Sequence, residues 1–241
     1  MGKSLDRSLQ RKESLPDLTW EECRQYLRAG AGVMGWLISD PQLSQFMDYL
    51  SLLQKWNRFI NLTGLQTRRE IIVKHFLDSL TLLPLLPDTF SLMDLGSGGG
   101  FPGLPIKIMA PGLEITLVEA SAKKVSFLRE VIRRLDLSKV NVIQAFLGPD
   151  ASALPGLRRS FDVITSRAVG RVTELMRSAG PFLAKGGKFI LMKGKKGREE
   201  LKEAEPQILN SDFKLEKVVD LRLPLLDQER TLIVFTKITQ V

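Results

Sequence analysis

A glycine-rich turn between residues 92 and 103 carries the residues best suited to bind a ligand. A short apolar run ends in Asp94, and glycines follow at positions 96, 98, 99, 100 and 103. Glycine lets a tight turn take positive φ and lets a ligand approach the bare backbone. Amide N–H groups freed at a helix start would then face that ligand. The segment therefore predicts a strand, a turn that binds a nucleotide-like ligand, and a helix that begins near Pro102.

The spacing of the acid and the glycines bears on which ligand this is. Gly98, Gly100 and Gly103 fit G-x-G-x-x-G, which is a weak signal for a dinucleotide. The fuller pattern, with Asp94 and Gly96 added, resembles the first motif of the class I S-adenosylmethionine-dependent methyltransferases. An acid beneath the turn suits the cationic sulfonium and ammonium groups of S-adenosylmethionine and disfavours a pyrophosphate. A glycine-rich loop with no ligand is the alternative.

Glu119 is a second candidate contact, at the end of a predicted strand 23 residues after Gly96. In doubly wound folds, an acid at this place accepts hydrogen bonds from ribose hydroxyls. NAD and S-adenosylmethionine both carry a ribose, so Glu119 supports nucleoside binding without choosing between them. An exposed glutamate at a strand end is the alternative.

Alternating strand-like and helix-like segments follow position 90 and would place these residues. Strands are predicted at 91–95, 114–119, 140–146, 161–166 and 188–193. Helices are predicted up to about 109, after a cap at Ser121, at 171–184 and at 198–209, and the last runs, 213–223 and 231–238, predict an antiparallel pair at the sheet edge. The alternation predicts an α/β, Rossmann-like fold with a mostly parallel sheet, whose ligand lies over the carboxyl ends of the strands.

Residues 1–90 predict a helical N-terminal cap, and residues 91–241 predict the domain that binds S-adenosylmethionine. Thr19 and Glu22 form a capping box at the start of one helix. The pair Asp40-Pro41 has the cap and first-turn proline of a second helix. A third apolar helix is predicted at 71–86.

The composition of the 241 residues, 44% hydrophobic and 26% charged, is typical of a globular protein. The chain has no run of about 18 apolar residues for a membrane span, and its N-terminus lacks the apolar core of an export signal. The single cysteine, Cys23, suits a reducing compartment. We therefore expect a cytoplasmic protein without membrane contact. We also expect it to be a monomer. With one His and one Cys, a His/Cys metal site is not expected.

Positive charge is concentrated in the half with the glycine motif. Residues 91–241 hold 24 Lys and Arg against 17 Asp and Glu, and so carry seven of the eight net positive charges. Such a half favours a polyanionic substrate such as nucleic acid, although a basic soluble surface explains the charge equally well. Lys193, Lys195, Lys196 and Arg198 follow the fifth predicted strand and predict RNA phosphate contacts. A solvated loop is the alternative.

Four segments together make the resemblance specific: residues 94–106 with Gly-Phe-Pro-Gly-Leu-Pro, residues 74–79, residues 56–57 with 61–63, and Ser-Arg-Ala at 166–168. The chain resembles the bacterial small-subunit rRNA guanine-N7 methyltransferases known as RsmG or GidB, from about residue 40 to 238. The resemblance implies S-adenosylmethionine as cofactor and 16S rRNA in the 30S subunit as partner. It also implies methylation of a guanine at N7 in the 530 loop.

The resemblance assigns further site residues by their motif positions. Gly96 and Phe101 match the family's cofactor-binding turn, and Arg167 matches a family cofactor-site residue. After the third strand, the family usually carries an acid where this chain has Leu147-Gly148. A backbone contact to the cofactor could be kept there, but a carboxylate contact could not. The family's His-Arg pair near the last strand is also altered here, to Glu-Arg at 229–230.

Guanine N7 is a lone-pair acceptor with no proton to remove, so its methylation needs alignment and exclusion of water rather than a general base. In agreement, the sequence offers no obvious acid–base set. We predict no catalytic base and assign positioning to Arg167 and Asn61. Asn61 could hydrogen-bond a base edge or cap a turn. The lone histidine, His75, is interpreted as a packed residue.

Two other functions are compatible with the same turn. A nicotinamide-dependent oxidoreductase would use it for a dinucleotide, but no acid–base residue for hydride transfer is evident. An RNA-binding protein on a methyltransferase fold that has lost S-adenosylmethionine is the other alternative. Equilibrium binding of S-adenosylmethionine, NAD and NADP would separate the three.

Overall fold

The computed structural model describes residues 16–87, 90–146, 148, 154–167, 170–226 and 228–238. Its strands are β1 Ser91–Leu95, β2 Glu114–Glu119, β3 Val140–Gln144, β4 Phe161–Arg167, β5 Leu183–Lys193, β6 Phe213–Arg222 and β7 Glu229–Lys237. They form one sheet in the order β3-β2-β1-β4-β5-β7-β6. The first five strands in this order are parallel, and β7 is antiparallel to both β5 and β6. The predicted fold and its antiparallel edge are confirmed.

The helices are α1 Trp20–Val33, α2 Asp40–Asn57, α3 Arg68–Ile71, α4 Asp78–Leu80, α5 Gly103–Met109, α6 Ala122–Arg134, α7 Val172–Ala179 and α8 Gly197–Leu209. A π-helical turn, Ile72–Leu77, joins α3 to α4. The third predicted helix therefore starts earlier than 71. It ends before 86, where a short 3-10 turn at Leu83–Leu85 contains Pro84, which has no N–H to continue an α-helix.

The first two helices begin with capping boxes. The Thr19 hydroxyl accepts from the Glu22 N–H at 3.2 Å, and the Glu22 carboxylate accepts from the Thr19 N–H at 2.7 Å, as predicted. For α2 the cap is Ser39 and not Asp40, because Ser39 and Gln42 exchange the equivalent pair of bonds. The prediction for α2 was therefore wrong by one residue.

The helical N-terminal segment and the sheet share a hydrophobic core. One cluster of buried side chains joins Leu27 of α1, Phe46 of α2 and Phe76 of the π-helical turn to Ile106 and Phe127 of α5 and α6. A second cluster involves the strands together with α7 and α8. The N-terminal helices are thus packed on the fold that follows, and the boundary at residue 90 stays a prediction.

The helix predicted at 171–184 ends at Ala179 instead. Pro181 cannot continue an α-helix, and Phe182 and Leu183 are fully buried at the start of β5. The glycine pair at 186–187 therefore lies inside β5, where the pairing with β4 is irregular. A Cβ at Gly187 would lie 3.0 Å from the carbonyl oxygen of Asp162, so this close approach of the two strands requires glycine. The strand predicted at 140–146 ends earlier, at Gln144.

Across the described ranges, no helix combines the length and apolar character needed to cross a membrane. Within the same ranges, no group of three or more His, Cys, Asp or Glu side chains is placed to hold a metal ion.

Candidate cofactor site

The glycine turn adopts the backbone that its composition predicts. Gly96, Gly98 and Gly100 have φ of +74°, +58° and +94°. Glycine adopts these left-handed values without strain, whereas other residues adopt them only rarely. At Gly98 a Cβ would have only the carbonyl oxygen of Gly96 within 4 Å, at 3.9 Å. The space over the turn is thus open to a ligand at Gly98.

Two buried acids hold the turn in this conformation. Asp94 Oδ2 accepts from the Gly103 N–H at 2.9 Å, and Glu119 Oε2 accepts from the Gly98 N–H at the same distance. Glu119 Oε1 also accepts from the Ser121 N–H at 2.8 Å. Glu119 is only 8% exposed, so it is not the solvated strand-end glutamate of the alternative interpretation. Its contact with a ribose stays a prediction.

Asp94 lies below the turn and does not line the cavity over it. It is fully buried, and its Oδ1 atom has no hydrogen-bond partner in the described structure. Burial raises the pKa of Asp94 to about 7, while the Gly103 N–H and Arg167 oppose the rise. An effect of this carboxylate on a bound cation would therefore act through space and not by contact.

A cavity of about 410 Å³ lies over the turn, at the carboxyl edge of β1, β2 and β4. We call it the turn cavity. Its lining is Leu62, His75, Leu95, Gly96, Ser97, Gly98, Gly99, Phe101, Val118, Glu119, Ala120, Lys124, Ala145, Phe146, Arg167 and Leu175. Its volume is in the range of small-molecule sites, and its mixture of apolar walls with a few polar groups is typical of them.

Arg167 reaches the turn cavity from the end of β4, as predicted, but most of its donors are already engaged. Nη1 donates to the Lys74 carbonyl at 2.8 Å and to Asp78 Oδ2 at 3.3 Å. Nη2 lies 2.9 Å from His75 Nδ1. The guanidinium carbon also lies 5.0 Å from the centre of the Phe101 ring. Arg167 is thus fixed in place before any ligand arrives.

Asp78 joins two arginines that are far apart in sequence. Its Oδ1 atom accepts from Arg230 Nε at 2.9 Å, while Oδ2 accepts from Arg167. All three side chains are largely buried, with Asp78 only 2% exposed. Burial lowers the pKa of Arg167, and the Asp78 carboxylate opposes this shift. We call these three residues the arginine clamp.

His75 stands between the arginine clamp and the loop after α2. His75 Nδ1 lies 2.9 Å from Arg167 Nη2, which can only donate, and 3.1 Å from the Lys74 carbonyl oxygen, which can only accept. Nε2 and the Thr63 hydroxyl form a hydrogen bond at 2.8 Å. Burial and the neighbouring Arg167 lower the pKa of His75 to about 3. The imidazole also stacks on Phe101 with ring centres 4.3 Å apart, which agrees with its interpretation as a packed residue.

The turn cavity brings together part of the predicted cofactor set. Gly96, Gly98, Phe101, Glu119 and Arg167 line it, whereas Asp94, Gly100 and Gly148 do not. Leu147 lies outside the described residues.

Gly100 has a packing role beside the turn cavity. A Cβ there would lie 2.5 Å from Leu104 and 2.6 Å from the Tyr49 hydroxyl, so Gly100 is required by the approach of α2 to the turn.

The predicted RNA contacts after β5 divide into two kinds. Lys193 was assigned wrongly: it is buried, with Nζ 2.8 Å from the Gly170 carbonyl and 2.8 Å from Glu200, so it braces the strand end and cannot meet a phosphate. Arg198 is exposed but bonds to Asp220 at 2.5 Å. Lys195 and Lys196 are exposed. The RNA contact stays a prediction for the last three residues.

Asn61 is exposed and lies outside the turn cavity. It lines a neighbouring polar cavity of about 430 Å³, together with Asn57 and Thr63. The Asn57 side chain accepts from the N–H groups of Leu62 and Thr63 and so shapes this loop. Asn61 therefore does not cap this turn, and its role toward a base stays a prediction.

Sequence reasoning missed Asp78, Thr63 and Phe146 as parts of the site. The signal for Asp78 was a lone acid within an apolar helical run, where an unpaired charge would be costly. For Phe146 the sequence carried no comparable signal, although its ring is 80% exposed at the cavity wall.

A family model described as rRNA small subunit methyltransferase G (GidB) matches residues 42–233. The chain belongs to this family. The ribosomal RNA small subunit methyltransferase G of Pelotomaculum thermopropionicum is 41% identical over 214 residues, which cover 88% of this chain and 89% of the relative. The protein of the same name from Acetivibrio thermocellus is 36% identical over 218 residues, covering 90% and 89%.

Solved structures agree on the fold. A SAM-dependent methyltransferase from Aquifex aeolicus superposes with a TM-score of 0.55 at 12% identity, covering 70% of this chain and 93% of that one. Membership of this family makes the protein an rRNA methyltransferase that uses S-adenosylmethionine, and the solved structure agrees with it in fold alone. The oxidoreductase and the non-enzymatic RNA-binding protein are therefore set aside.

Arg167 gives a first test of the site. We expect Arg167→Ala to lower methyl transfer at least about tenfold, a loss of roughly 1.4 kcal/mol of transition-state stabilisation. Arg167→Lys should also be impaired, because lysine keeps the charge but cannot make the forked contacts to Asp78 and His75. The measurement is transfer of labelled methyl to 16S rRNA or 30S subunits. The exposed Arg134→Lys is the matched control, and wild-type turnover in both Arg167 variants would remove this residue from the site.

Proposed function

We propose that this protein transfers a methyl group from S-adenosylmethionine to N7 of a guanine in the 530 loop of 16S rRNA. The observation that carries the proposal is the turn cavity, with its open glycine backbone at Gly98, in a chain of the small-subunit rRNA methyltransferase family. The finer points, N7 and the 530 loop, come from the resemblance of the sequence motifs.

The cavity fits the cofactor in size and chemistry. Backbone amides at the turn and the carboxylate of Glu119 suit the polar groups of a nucleoside, and the walls at Val118 and Phe146 suit a flat base. Arg167 supplies a fixed positive charge for a carboxylate or a phosphate. When bound, S-adenosylmethionine supplies an electrophilic methyl group, and the N7 lone pair needs only to be held in line with it.

The site agrees with a reaction that needs no general base. Both ring nitrogens of His75 are engaged, one by Arg167 and one by Thr63. The lowered pKa keeps this imidazole neutral at physiological pH. The lone pair of its unprotonated nitrogen already accepts a hydrogen bond. In this proposal the residues at the site bind, orient and exclude water, and none of them moves a proton.

The partner in this proposal is 16S rRNA, either within a 30S subunit or within an assembly intermediate. The enzyme meets it in the cytoplasm and acts as a monomer.

The test incubates purified protein with labelled S-adenosylmethionine and either protein-free 16S rRNA or 30S subunits, and identifies the labelled nucleoside. We expect 7-methylguanosine from the 530 loop. Another nucleoside, or a label elsewhere in the rRNA, would overturn the proposal.

Lys195 and Lys196, which follow β5, test the proposed contact with RNA. Changing both to alanine should weaken rRNA binding and reduce the slope of log K against log salt by about 0.7–0.9 for each phosphate that the variant no longer neutralises. Affinity for S-adenosylmethionine should not change, because neither residue lines the turn cavity. Binding is measured across a salt series. A double variant at Lys123 and Arg134, on the exposed face of α6, controls for net charge, and an unchanged slope would leave these lysines as solvated surface.

A further inference from the structure

A further cavity, with concentrated positive charge, lies at the opposite ends of the strands from the turn cavity. It has a volume of about 620 Å³ and lies where β4, β5 and β6 begin and β7 ends. Its lining is Arg158, Arg159, Thr173, Met176, Arg177, Gly180, Pro181, Gln207, Asn210, Ser211, Asp212, Phe213 and Lys237. We call it the arginine groove.

The arginines of this groove have no counter-ion in the part of the chain that the structure describes. Arg158, Arg159 and Arg177 are exposed, and none of them makes an ion pair within the described residues. The contact of Arg177 is a long one, from Nε to the Thr173 carbonyl at 3.5 Å. Asp212 is the one acid of the lining. Three guanidinium groups against one carboxylate produce a local positive field that favours a polyanion.

The floor of the groove contains a hydrogen-bonded lysine and is partly apolar. Lys237 is tied down, since its Nζ donates to the carbonyl of Gly180 and, at 3.0 Å, to that of Leu183. Met176 and Phe213 are buried beneath the charged rim. An apolar floor with a rim of guanidinium groups matches a nucleotide chain, which presents phosphates at intervals and flat bases between them.

We propose that the arginine groove binds a segment of rRNA strand through its phosphates, as a second contact that holds the substrate while the target guanine occupies the cofactor site. The proposal rests on the proposed function. Arg158 and Arg167 lie at opposite ends of β4, whose seven residues span about 20–23 Å at roughly 3.3 Å per residue. One nucleotide cannot fill both sites, so the groove contacts a different part of the rRNA and contributes to affinity rather than to chemistry.

The test removes the three guanidinium charges and keeps the aliphatic stems, in the triple variant Arg158→Gln, Arg159→Gln and Arg177→Gln. The matched control removes three exposed charges away from both cavities, at Arg129, Arg134 and Lys139. Affinity for protein-free 16S rRNA is measured between about 50 and 200 mM salt, and methyl transfer to protein-free 16S rRNA and to 30S subunits is measured in parallel.

We expect the slope of log K against log salt to fall by about two in the groove variant, since each phosphate contact contributes roughly 0.7–0.9. KM for rRNA should rise at least about tenfold, with kcat at saturating rRNA and affinity for S-adenosylmethionine unchanged. The control should retain the wild-type slope.

Equal slopes for the groove variant and the wild type would overturn the proposal. So would a loss confined to 30S subunits, which would indicate a ribosomal protein as the partner. Saturable binding of AMP that the variant loses without a change in the rRNA slope would indicate a free nucleotide instead. The proposed function fails separately, if the wild-type product is not 7-methylguanosine.

Discussion

Replacing Asp78 with alanine is expected to destabilise the folded protein by about 3–5 kcal/mol, the range for breaking a buried ion pair by removing one partner. Its carboxylate is the shared counter-ion of Arg167 and Arg230, whose side chains are only 15% and 13% exposed. Without it, both buried arginines would lose the carboxylate with which they form ion pairs. The clamp joins α4 to the end of β4 and the start of β7, so its loss should also loosen Arg167 at the turn cavity.

The measurement is the free energy of unfolding from urea titration, with Asp48→Ala as control. Asp48 is exposed on α2 and makes no ion pair among the described residues, so this variant should stay within about 0.5 kcal/mol of wild type. If Asp78→Ala does not fold, Asp78→Asn keeps the shape and removes only the charge. A loss below about 1 kcal/mol in a folded Asp78 variant would contradict the assignment of the clamp.

Valine in place of Gly98 is expected to weaken S-adenosylmethionine binding at least about 100-fold, or roughly 2.7 kcal/mol. The backbone at Gly98 has a φ of +58°, which a β-branched residue adopts only with strain. The new side chain would also project into the open space of the turn cavity, where a Cβ has no near neighbour other than the Gly96 carbonyl. The strained backbone and the added side chain would both prevent a cofactor from approaching the backbone at Gly98.

Calorimetric titration with S-adenosylmethionine checks this result, and thermal unfolding shows whether the variant is folded. Gly112→Val is the matched control, since Gly112 is exposed and a Cβ there would have nothing within 4 Å. Its affinity for the cofactor should equal that of the wild type. Normal affinity in a folded Gly98 variant would place the cofactor elsewhere.

The sequence by itself determined most of the helices and strands and the glycine turn. Strands β1 and β2 and the helix after Ser121 follow from hydrophobic period and turn residues, which are local properties of the chain. The glycine turn was also predictable, because a backbone with positive φ favours glycine over other residue types. The same local logic failed at Gly186 and Gly187, where a close approach of two strands looked like the end of a helix.

Only the tertiary structure decided which charged groups meet. Asp78 contacts Arg167 and Arg230 across 89 and 152 residues, and no local pattern records such a pairing. Lys193, which reads as a phosphate contact beside Lys195, is instead buried against Gly170 and Glu200. The reason is physical. The position of a residue at a strand end sets only where its side chain leaves the backbone. Burial and the partners that distant elements bring decide whether its charge faces solvent, a neighbour or a ligand.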